Sequence, residues 1–331
     1  MGKAPGMAED ALRGGIDLGG TKIQAIVADI DHKVLGQARR RTPTTGGPPD
    51  VVAALVEALT EALEQAGVGA DRLTGIGVGA PGAIDEEHGM LARAGNLPGW
   101  RDPYPLAAEL GKSFGGATVR LGNDVQVSTD AEFTLGAAKE FDSLLGVFWG
   151  TGVGGGIVLN GKPWVGRGAA GEIGHIPVHH KGLKCPCGRQ GCMEAYAGRQ
   201  AMELRARKAV EHGEKTDLFK IMEEKGRERL TSGIWSRAIE RGDELAERLI
   251  DEAIDALGMA VASACNVLDP DAIIIGGGLG VRFGEPYAIR ISDAMMPHLF
   301  HDDDPPVMRV AELGDLGGAL GAALLVQDVA S

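Results

Sequence analysis

The same local pattern opens both halves of this 331-residue chain: an apolar strand, a glycine turn and a second apolar strand. Residues 14–28 contain it first, around Asp17-Leu-Gly-Gly-Thr21, and residues 144–159 contain it again, around Gly150-Thr-Gly152. Short apolar runs bounded by glycine predict buried strands. Because helical periodicity recurs between the strands, the repeat predicts a duplicated α/β fold of two lobes with a cleft between them.

The domain boundaries are expected where the periodicity changes. We expect a mobile leader over residues 1–13, an N-terminal lobe over 14–123 and a C-terminal lobe over 124–331. An Ala-, Gly- and Leu-rich run over 316–326 predicts a closing helix that can return to the N-terminal lobe. The highly charged stretch 203–247 predicts helices of a solvated surface subdomain.

The net charge of −13 restricts the partners. Without a basic surplus to neutralise phosphates, neither a nucleic acid nor an anionic membrane is an expected partner. No apolar run reaches membrane-spanning length, and residues 1–13 lack the apolar core of a signal peptide. We therefore expect a cytoplasmic protein with reduced thiols.

Three of the four cysteines lie within eight residues, at Cys185, Cys187 and Cys192, and His175 precedes them by a nine-residue gap. Thiolates and imidazole at this spacing predict a tetrahedral Zn²⁺ site, and one His with three Cys leaves no open coordination position. A disulfide or unrelated thiols are the alternatives, but a disulfide needs an oxidising compartment. The prediction is a structural zinc. Cys265 lies in an apolar pattern and is expected to be a buried small residue.

The zinc segment, residues 172–194, begins and ends with a carboxylate, Glu172 and Glu194. A metal site that fixes the backbone between them would hold both side chains in place. They are therefore candidates for gripping a polar ligand.

Both glycine turns are candidate phosphate-binding loops. Glycines in the first turn let backbone N–H groups approach an anion, while Thr21 adds a hydroxyl and Lys22 a charge. Asp17 could face a hydrated Mg²⁺. An ordinary hairpin with a Gly-Gly turn is the alternative. The second turn, with Thr151 and Gly152, is the expected partner, and two such turns together favour a nucleotide clamp.

Polar residues at two further strand or loop ends are candidates for substrate contacts. Asn123-Asp124 follows a strand and precedes a helix, which suits a helix N-cap but also a general base at the carboxyl end of a strand. In phosphoryl transfer such an aspartate accepts the proton of the attacking hydroxyl. Asn96, before Leu97-Pro-Gly-Trp100, is either part of a proline turn or an amide that binds a hydroxyl-rich ligand.

Taken together, these segments resemble the ROK family of sugar kinases and repressors. The resemblance extends from Gly15 to about Val326. Its motifs occur in order: Asp17-x-Gly-Gly-Thr21, Gly79-x-Pro-Gly82, Asn96, Asn123-Asp124, Gly150-Thr-Gly152, Gly171-Glu-Ile-Gly-His175, Cys185-x-Cys-Gly-x-x-Gly-Cys-x-Glu194 and Gly276-Gly-Gly278. It implies an actin-like ATPase fold, with two lobes that are each built on an RNase-H-like sheet.

The resemblance also implies a role for each motif residue. Asp124 would be the general base for the sugar 6-hydroxyl, and His175 would ligate zinc through one ring nitrogen and reach the sugar with the other. Sugar contacts are implied for Gly79, Asn96, Asn123, Asp124, Glu172, His175 and Glu194. Contacts to ATP or its Mg²⁺ are expected for Asp17, Gly19, Gly20, Thr21, Lys22, Thr151, Gly152, Gly276, Gly277 and Gly278.

The implied activity is ATP-dependent phosphorylation of D-glucose, by a homo-oligomer that we expect to be a dimer or tetramer. Kinases for N-acetylglucosamine, N-acetylmannosamine, allose and fructose share the motifs, as do enzymes that use inorganic polyphosphate. A non-catalytic sugar sensor is an alternative of another class. Family repressors carry a winged helix ahead of the kinase-like part, and only sixteen residues precede Asp17, so a repressor is not expected.

Overall fold

The computed structural model describes residues 11–330. The strands are β1 (Leu12–Leu18), β2 (Lys22–Ala28), β3 (Val34–Arg41), β4 (Leu73–Ala80), β5 (Ala83–Asp85), β6 (Met90–Ala92), β7 (Val119–Asn123), β8 (Leu144–Trp149), β9 (Val153–Leu159), β10 (Lys162–Pro163), β11 (Ala272–Gly276) and β12 (Val307–Val310). The helices are α1 (Pro48–Ala66), α2 (Leu106–Lys112), α3 (Asp124–Thr134), α4 (Glu194–Ala197), α5 (Arg199–Glu211), α6 (Leu218–Glu224), α7 (Ser232–Glu240), α8 (Glu244–Leu268), α9 (Gly277–Met295) and α10 (Gly317–Leu324).

The chain forms two compact units. Within the described range, the first comprises residues 11–136 and 312–330, and the second comprises residues 137–311. Of the expected leader over 1–13, residues 1–10 lie outside the described range, whereas Leu12 and Arg13 are the first residues of β1. The expected boundary at 123/124 differs from the observed one at 136/137, because α3 packs against α10 and stays with the first unit.

The first unit is built on a five-stranded sheet of order β3-β2-β1-β4-β7. β1, β2 and β3 form an antiparallel meander, and β4 and β7 extend the sheet in parallel with β1. Helix α1 covers one face with its apolar stripe, which includes the fully buried Val51, Leu55 and Leu59. Pro48 at its start and a left-handed Gly67 after its end fix the limits of this helix.

Helix α10 covers the other face of the sheet, over β1 and β4. It approaches so closely that a Cβ atom at Gly77 would overlap the carbonyl of Ala322, and one at Gly15 would overlap that of Ala319. Glycine is therefore required at both strand positions. The predicted helix over 316–326 is observed, slightly shorter, as α10.

The second unit repeats the strand order of the first, as β10-β9-β8-β11-β12. Here too three strands, β8, β9 and β10, form an antiparallel meander, and β11 and β12 extend the sheet in parallel with β8. The predicted duplicated α/β fold is confirmed. The second glycine turn is short: β9 begins at Val153, and Gly154 to Gly156 of the glycine-rich run pair with β8.

The charged stretch 203–247 is not a solvated subdomain, and that prediction was wrong. Its helices α5, α6 and α7 turn Ala206, Leu218 and Trp235 into the core of the second unit, where each is fully buried. Most of their charged residues are exposed, whereas Glu203 on α5 is buried. In the part of the chain that the structure describes, none of the helices is both long and apolar enough to cross a membrane.

Candidate active site

Candidate residues of the first unit lie at one edge of its sheet. Strands β1, β4 and β7 are parallel neighbours, and their register pairs Asp17 with Gly79 and Ala80 with Asn123. The carboxyl ends of these strands therefore meet at the same edge, which is where ligands of open α/β sheets bind. The Asp17 turn, the Gly79–Gly82 loop and the start of α3 are brought together at this edge.

Asp17 lies at the end of β1, against the first turn of α10. A Cβ atom at Gly318 would come within 2.8 Å of the Asp17 carboxyl carbon, so glycine leaves room for the carboxylate there. Burial raises the pKa of Asp17, the nearby Lys22 lowers it and Asp315 raises it. A carboxylate is the kind of oxygen donor that Mg²⁺ uses.

The first glycine turn is closed by its own backbone. The N–H of Gly19 donates to the carbonyl of Lys22 at 2.9 Å, and the Thr42 hydroxyl donates to the Gly19 carbonyl at 2.6 Å. The Lys22 ammonium does not stand alone, since it pairs with Asp315 at 2.8 Å. Asp315 was missed in the sequence because nothing in its local pattern indicates that the chain returns to this turn.

Asn123 is the N-cap of α3. Its Oδ1 accepts hydrogen bonds from the backbone N–H groups of Val125 at 3.0 Å and Gln126 at 3.1 Å. The capping alternative is therefore correct for Asn123, and only its amide nitrogen remains for a ligand. Asp124 is the first residue of the helix and partly buried, with its Oδ1 3.0 Å from the Val125 nitrogen.

The Asn96 loop lies against the first glycine turn. A Cβ atom at Gly20 would come within 2.8 Å of the Asn96 Cβ atom, so the two loops touch. Trp100 anchors the loop, because its ring is buried and its Nε1–H donates to the carbonyl of Leu91 at 2.9 Å. The Asn96 side chain is exposed and remains available to a ligand.

In the second unit, two glycine turns lie side by side at the carboxyl edge of the sheet. β8 and β11 are parallel neighbours, with Gly276 paired to Phe148. A Cβ atom at Gly150 would lie 3.7 Å from the nitrogen of Gly278, and Gly277 has a φ of 78° that favours glycine. The turns around Gly150 and Gly277, both expected to contact ATP, are thus neighbours, and Thr151 is exposed to solvent.

Arg199 reaches the second glycine turn from the start of α5. Its guanidinium donates to the Thr151 hydroxyl at 2.8 Å and to the Leu230 carbonyl at 2.6 Å. Its backbone N–H donates to the carbonyl of Gly150 at 3.1 Å. No local sequence pattern indicates a role for this residue, because the contact depends on how α5 packs on the turn.

The four predicted zinc ligands converge in the second unit. One donor atom from each of His175, Cys185, Cys187 and Cys192 lies within 4.8 Å of the others. Cys187 and Cys192 place their sulfurs 3.7 Å apart, far beyond the roughly 2.05 Å of a disulfide. The disulfide alternative is thereby excluded for these three cysteines. The fourth, Cys265, is buried on α8 as predicted.

The chemistry of the cluster fits Zn²⁺. The Nδ1 atom of His175 lies 3.7 Å from the sulfur of Cys185, which is the separation of two ligands that share one metal ion. Burial raises the pKa of the Cys185 thiol to about 12, so a thiolate there at neutral pH needs a neighbouring cation. A short turn from Cys185 to Gly188 shapes this end of the segment.

The two carboxylates of the zinc segment have different surroundings. Glu194 is partly buried, and its Oε2 accepts a hydrogen bond from the backbone N–H of Val153 at 3.0 Å. Glu172 is exposed, with its Oε2 3.7 Å from the Nε2 of His175. The imidazole thus directs Nδ1 to the cysteines and Nε2 to the Glu172 carboxylate.

The duplicated sheets and the paired glycine turns define a class: a two-domain protein of the actin-like ATPase fold. Residues 13–329 match the ROK family, and the chain belongs to that family. It is 31% identical to a glucokinase of Thermotoga maritima, over 95% of this chain and 96% of that protein. An N-acetyl-D-glucosamine kinase of Pectobacterium atrosepticum is 33% identical over 94% of this chain and 97% of its own length.

A solved structure is similar along nearly the whole chain. A ROK family glucokinase from Streptomyces griseus, in complex with glucose and AMPPNP, superposes with a TM-score of 0.81. It is 31% identical and the match covers 95% of this chain and 98% of that one. The kinase class is therefore supported by both sequence and fold.

Proposed function

We propose that this protein transfers the terminal phosphoryl group of ATP to the 6-hydroxyl of D-glucose. One observation carries the proposal most directly: the shared register of β1, β4 and β7 places Asp17, the Gly79 loop and Asp124 at a single strand edge. That edge carries a candidate Mg²⁺-binding carboxylate, Asp17, and a candidate base, Asp124. The similarity to two glucokinases supports glucose as the sugar.

In the proposed reaction, the Asp124 carboxylate accepts the proton of the sugar O6–H. The oxygen then forms a bond to the terminal phosphorus of ATP, while the bond from that phosphorus to the ADP oxygen breaks. The products are glucose 6-phosphate and ADP. Asn96, whose side chain is exposed on its anchored loop, and the remaining amide nitrogen of Asn123 are assigned to the sugar hydroxyls.

In the second unit, we assign Glu172, His175 and Glu194 to sugar hydroxyls and Thr151 and Gly152 to phosphate. The proposed zinc ion would be held by His175 and the three cysteines, and it would fix the backbone that carries both carboxylates. Mg²⁺, accompanying ATP, would neutralise phosphate charge when bound, with Asp17 as the protein carboxylate that fits it.

The proposal is tested by coupling ADP release to a spectroscopic readout over a panel of hexoses. We expect turnover with glucose, dependence on Mg²⁺ and a product phosphorylated at carbon 6. Folded protein with its zinc that turns over none of the sugars would refute the enzyme and leave a sugar sensor as the alternative. ATP and inorganic polyphosphate, compared as donors, test the donor separately.

A second candidate substrate is N-acetylglucosamine, favoured by the similarity to the Pectobacterium enzyme. The two sugars differ at carbon 2, where one carries a hydroxyl and the other a bulkier acetamido group. The ratio of kcat/KM for the two sugars decides between them. A ratio above one for N-acetylglucosamine would replace glucose in the proposal.

A further inference from the structure

The positively charged guanidinium of Arg199 lies beside the second glycine turn. The proposed function assigns phosphate binding to this turn. The main chain and the side chain of Arg199 both contact it: the backbone N–H donates to Gly150, and the guanidinium donates to the Thr151 hydroxyl at 2.8 Å. The next residue, Gln200, donates its N–H to the Thr151 carbonyl at 3.0 Å. The start of α5 is thereby fixed to the turn.

The contact with Arg199 determines what the Thr151 hydroxyl can do. A guanidinium only donates, so Thr151 must accept from it, and this uses one lone pair of the hydroxyl oxygen. The O–H proton is then directed elsewhere. Since the Thr151 side chain is exposed, that proton is available to an anionic oxygen from outside the protein.

Arg199 forms no salt bridge among the described residues, whereas Arg207 on the same helix pairs with Glu203 at 2.7 Å. The Arg199 side chain is only partly exposed, and burial lowers its pKa, although the buried Glu203 carboxylate lies close enough to raise this pKa. Of its five N–H donors, the hydrogen bonds to Leu230 and Thr151 use two.

We propose that Arg199 is a positioning residue for the terminal phosphates of the donor nucleotide. It orients the Thr151 hydroxyl as a donor and supplies a positive charge, with no salt-bridge partner among the described residues, beside the turn. This inference rests on the proposed function for the identity of the nucleotide. It adds a residue that belongs to neither the glycine turn nor the zinc segment.

Calorimetric titration with AMP, ADP and AMPPNP tests the inference without turnover. In Arg199→Gln, we expect affinity for AMPPNP and ADP to fall about ten- to a hundredfold, as for a lost hydrogen bond to a charged group. Affinity for AMP should change by less than about threefold, since it lacks the outer phosphates. Arg199→Lys, which keeps the charge, should restore part of the loss. Equal loss for all three nucleotides would overturn the inference.

A double-mutant cycle tests whether Arg199 acts through Thr151. The loss of ADP affinity caused by Arg199→Gln should be smaller in a Thr151→Ala background than in the wild-type background, because the oriented hydroxyl is already absent. Fully additive losses would overturn the positioning role.

Glu203→Gln is the matched structural control. Glu203 accepts from the backbone N–H of Leu230 at 3.0 Å, so this variant disturbs the same loop that Arg199 holds through the Leu230 carbonyl. We expect Glu203→Gln to lower the melting temperature without weakening ADP binding, because it removes a carboxylate near Arg199 and leaves the guanidinium in place. If it weakens ADP as much as Arg199→Gln does, Arg199 only supports the loop.

The proposed function and this inference fail in different ways. Wild-type protein that phosphorylates a hexose, with kinetics unchanged in Arg199→Gln and Arg199→Lys, would overturn the inference alone. Wild-type protein that binds ADP in an Arg199-dependent way and phosphorylates no sugar would overturn the proposed function alone. In an active enzyme, the substitutions should raise KM for ATP and leave KM for the sugar unchanged.

Discussion

Glu194 and Val153 are joined by a hydrogen bond between the zinc segment and the strand that leaves the second glycine turn. The Oε2 atom of Glu194 accepts from the Val153 N–H at 3.0 Å, and its Oε1 lies 3.9 Å from the sulfur of Cys185. One carboxylate thus contacts both the His-Cys cluster and the strand that leaves the second glycine turn.

Glu194→Gln separates the charge of this side chain from its shape. The amide oxygen can still accept from Val153, so we expect a melting temperature near that of the wild type. Glucose affinity should fall about tenfold or more, because a hydrogen bond from a hydroxyl to a charged group is lost. Calorimetric titration with glucose measures this. Glu211→Gln, at an exposed site on α5, is the control, and unchanged affinity in Glu194→Gln would remove Glu194 from the sugar contacts.

Asp124→Asn tests the proposed base. The amide retains an acceptor for the Val125 N–H but cannot take a proton, so kcat should fall about 100- to 10,000-fold, the usual contribution of a general base. Glucose affinity should be largely retained in a calorimetric titration. Asp130→Asn, on the same helix, should retain its turnover at pH 7. A kcat in Asp124→Asn within a factor of about two of the wild type would rule out this role for Asp124.

Removal of zinc should weaken sugar binding without abolishing the first unit's fold. Cys192→Ser removes one of four ligands, so we expect substoichiometric zinc by elemental analysis, a lower melting temperature and weaker glucose binding. Cys265→Ser is the matched control, since Cys265 is buried outside the cluster. Glucose affinity that is equal in zinc-loaded and verified zinc-free protein would contradict the coupling.

Asp130 should make stability fall as the pH rises. Burial raises its pKa from 3.8 to about 7; Gln126, which donates to it at 2.7 Å, lowers the pKa, and Glu86 raises it. Because the folded protein holds this proton more tightly, the stabilisation is fully present below pH 3.8 and is lost as the pH rises through about 7. The difference amounts to at most about 4 kcal/mol.

Asp130→Asn removes this titration and should therefore flatten the dependence of the free energy of unfolding on pH. The free energy of unfolding of the variant minus that of the wild type should therefore be more positive at about pH 8 than at about pH 4. Urea denaturation at a series of pH values measures this. Asp102→Asn, at an exposed position in the same unit, should parallel the wild type. If Asp130→Asn also parallels it, Asp130 does not titrate in this range.

Much of the fold and the metal cluster could be predicted because their signals are local. Strand, glycine turn and strand are adjacent in sequence around Asp17, and the cysteine spacing limits what Cys185, Cys187 and Cys192 can do. The duplication was predictable for the same reason, since the pattern occurs twice. The roles assigned to individual sugar- and phosphate-binding residues stay predictions.

The contacts that could not be predicted join segments that are distant in sequence. Asp315 meets Lys22 only because α10 packs on the first sheet, and Arg199 meets Thr151 only because α5 packs on the second glycine turn. The burial of Trp235 was not predicted for a related reason. Charged residues near it in sequence lie on the outer face of α7, whereas Trp235 lies on the inner face and is fully buried. Local composition carries no information on which face a helix turns inward.

The division of the chain has a consequence for the order of events during synthesis. The second unit is continuous, from residue 137 to 311, whereas the first is completed only by residues 312–330, which include α10. On the ribosome, the second unit can therefore finish folding while the sheet of the first still lacks the helix that packs on Gly15 and Gly77. The usual order, in which the N-terminal domain matures first, would be reversed.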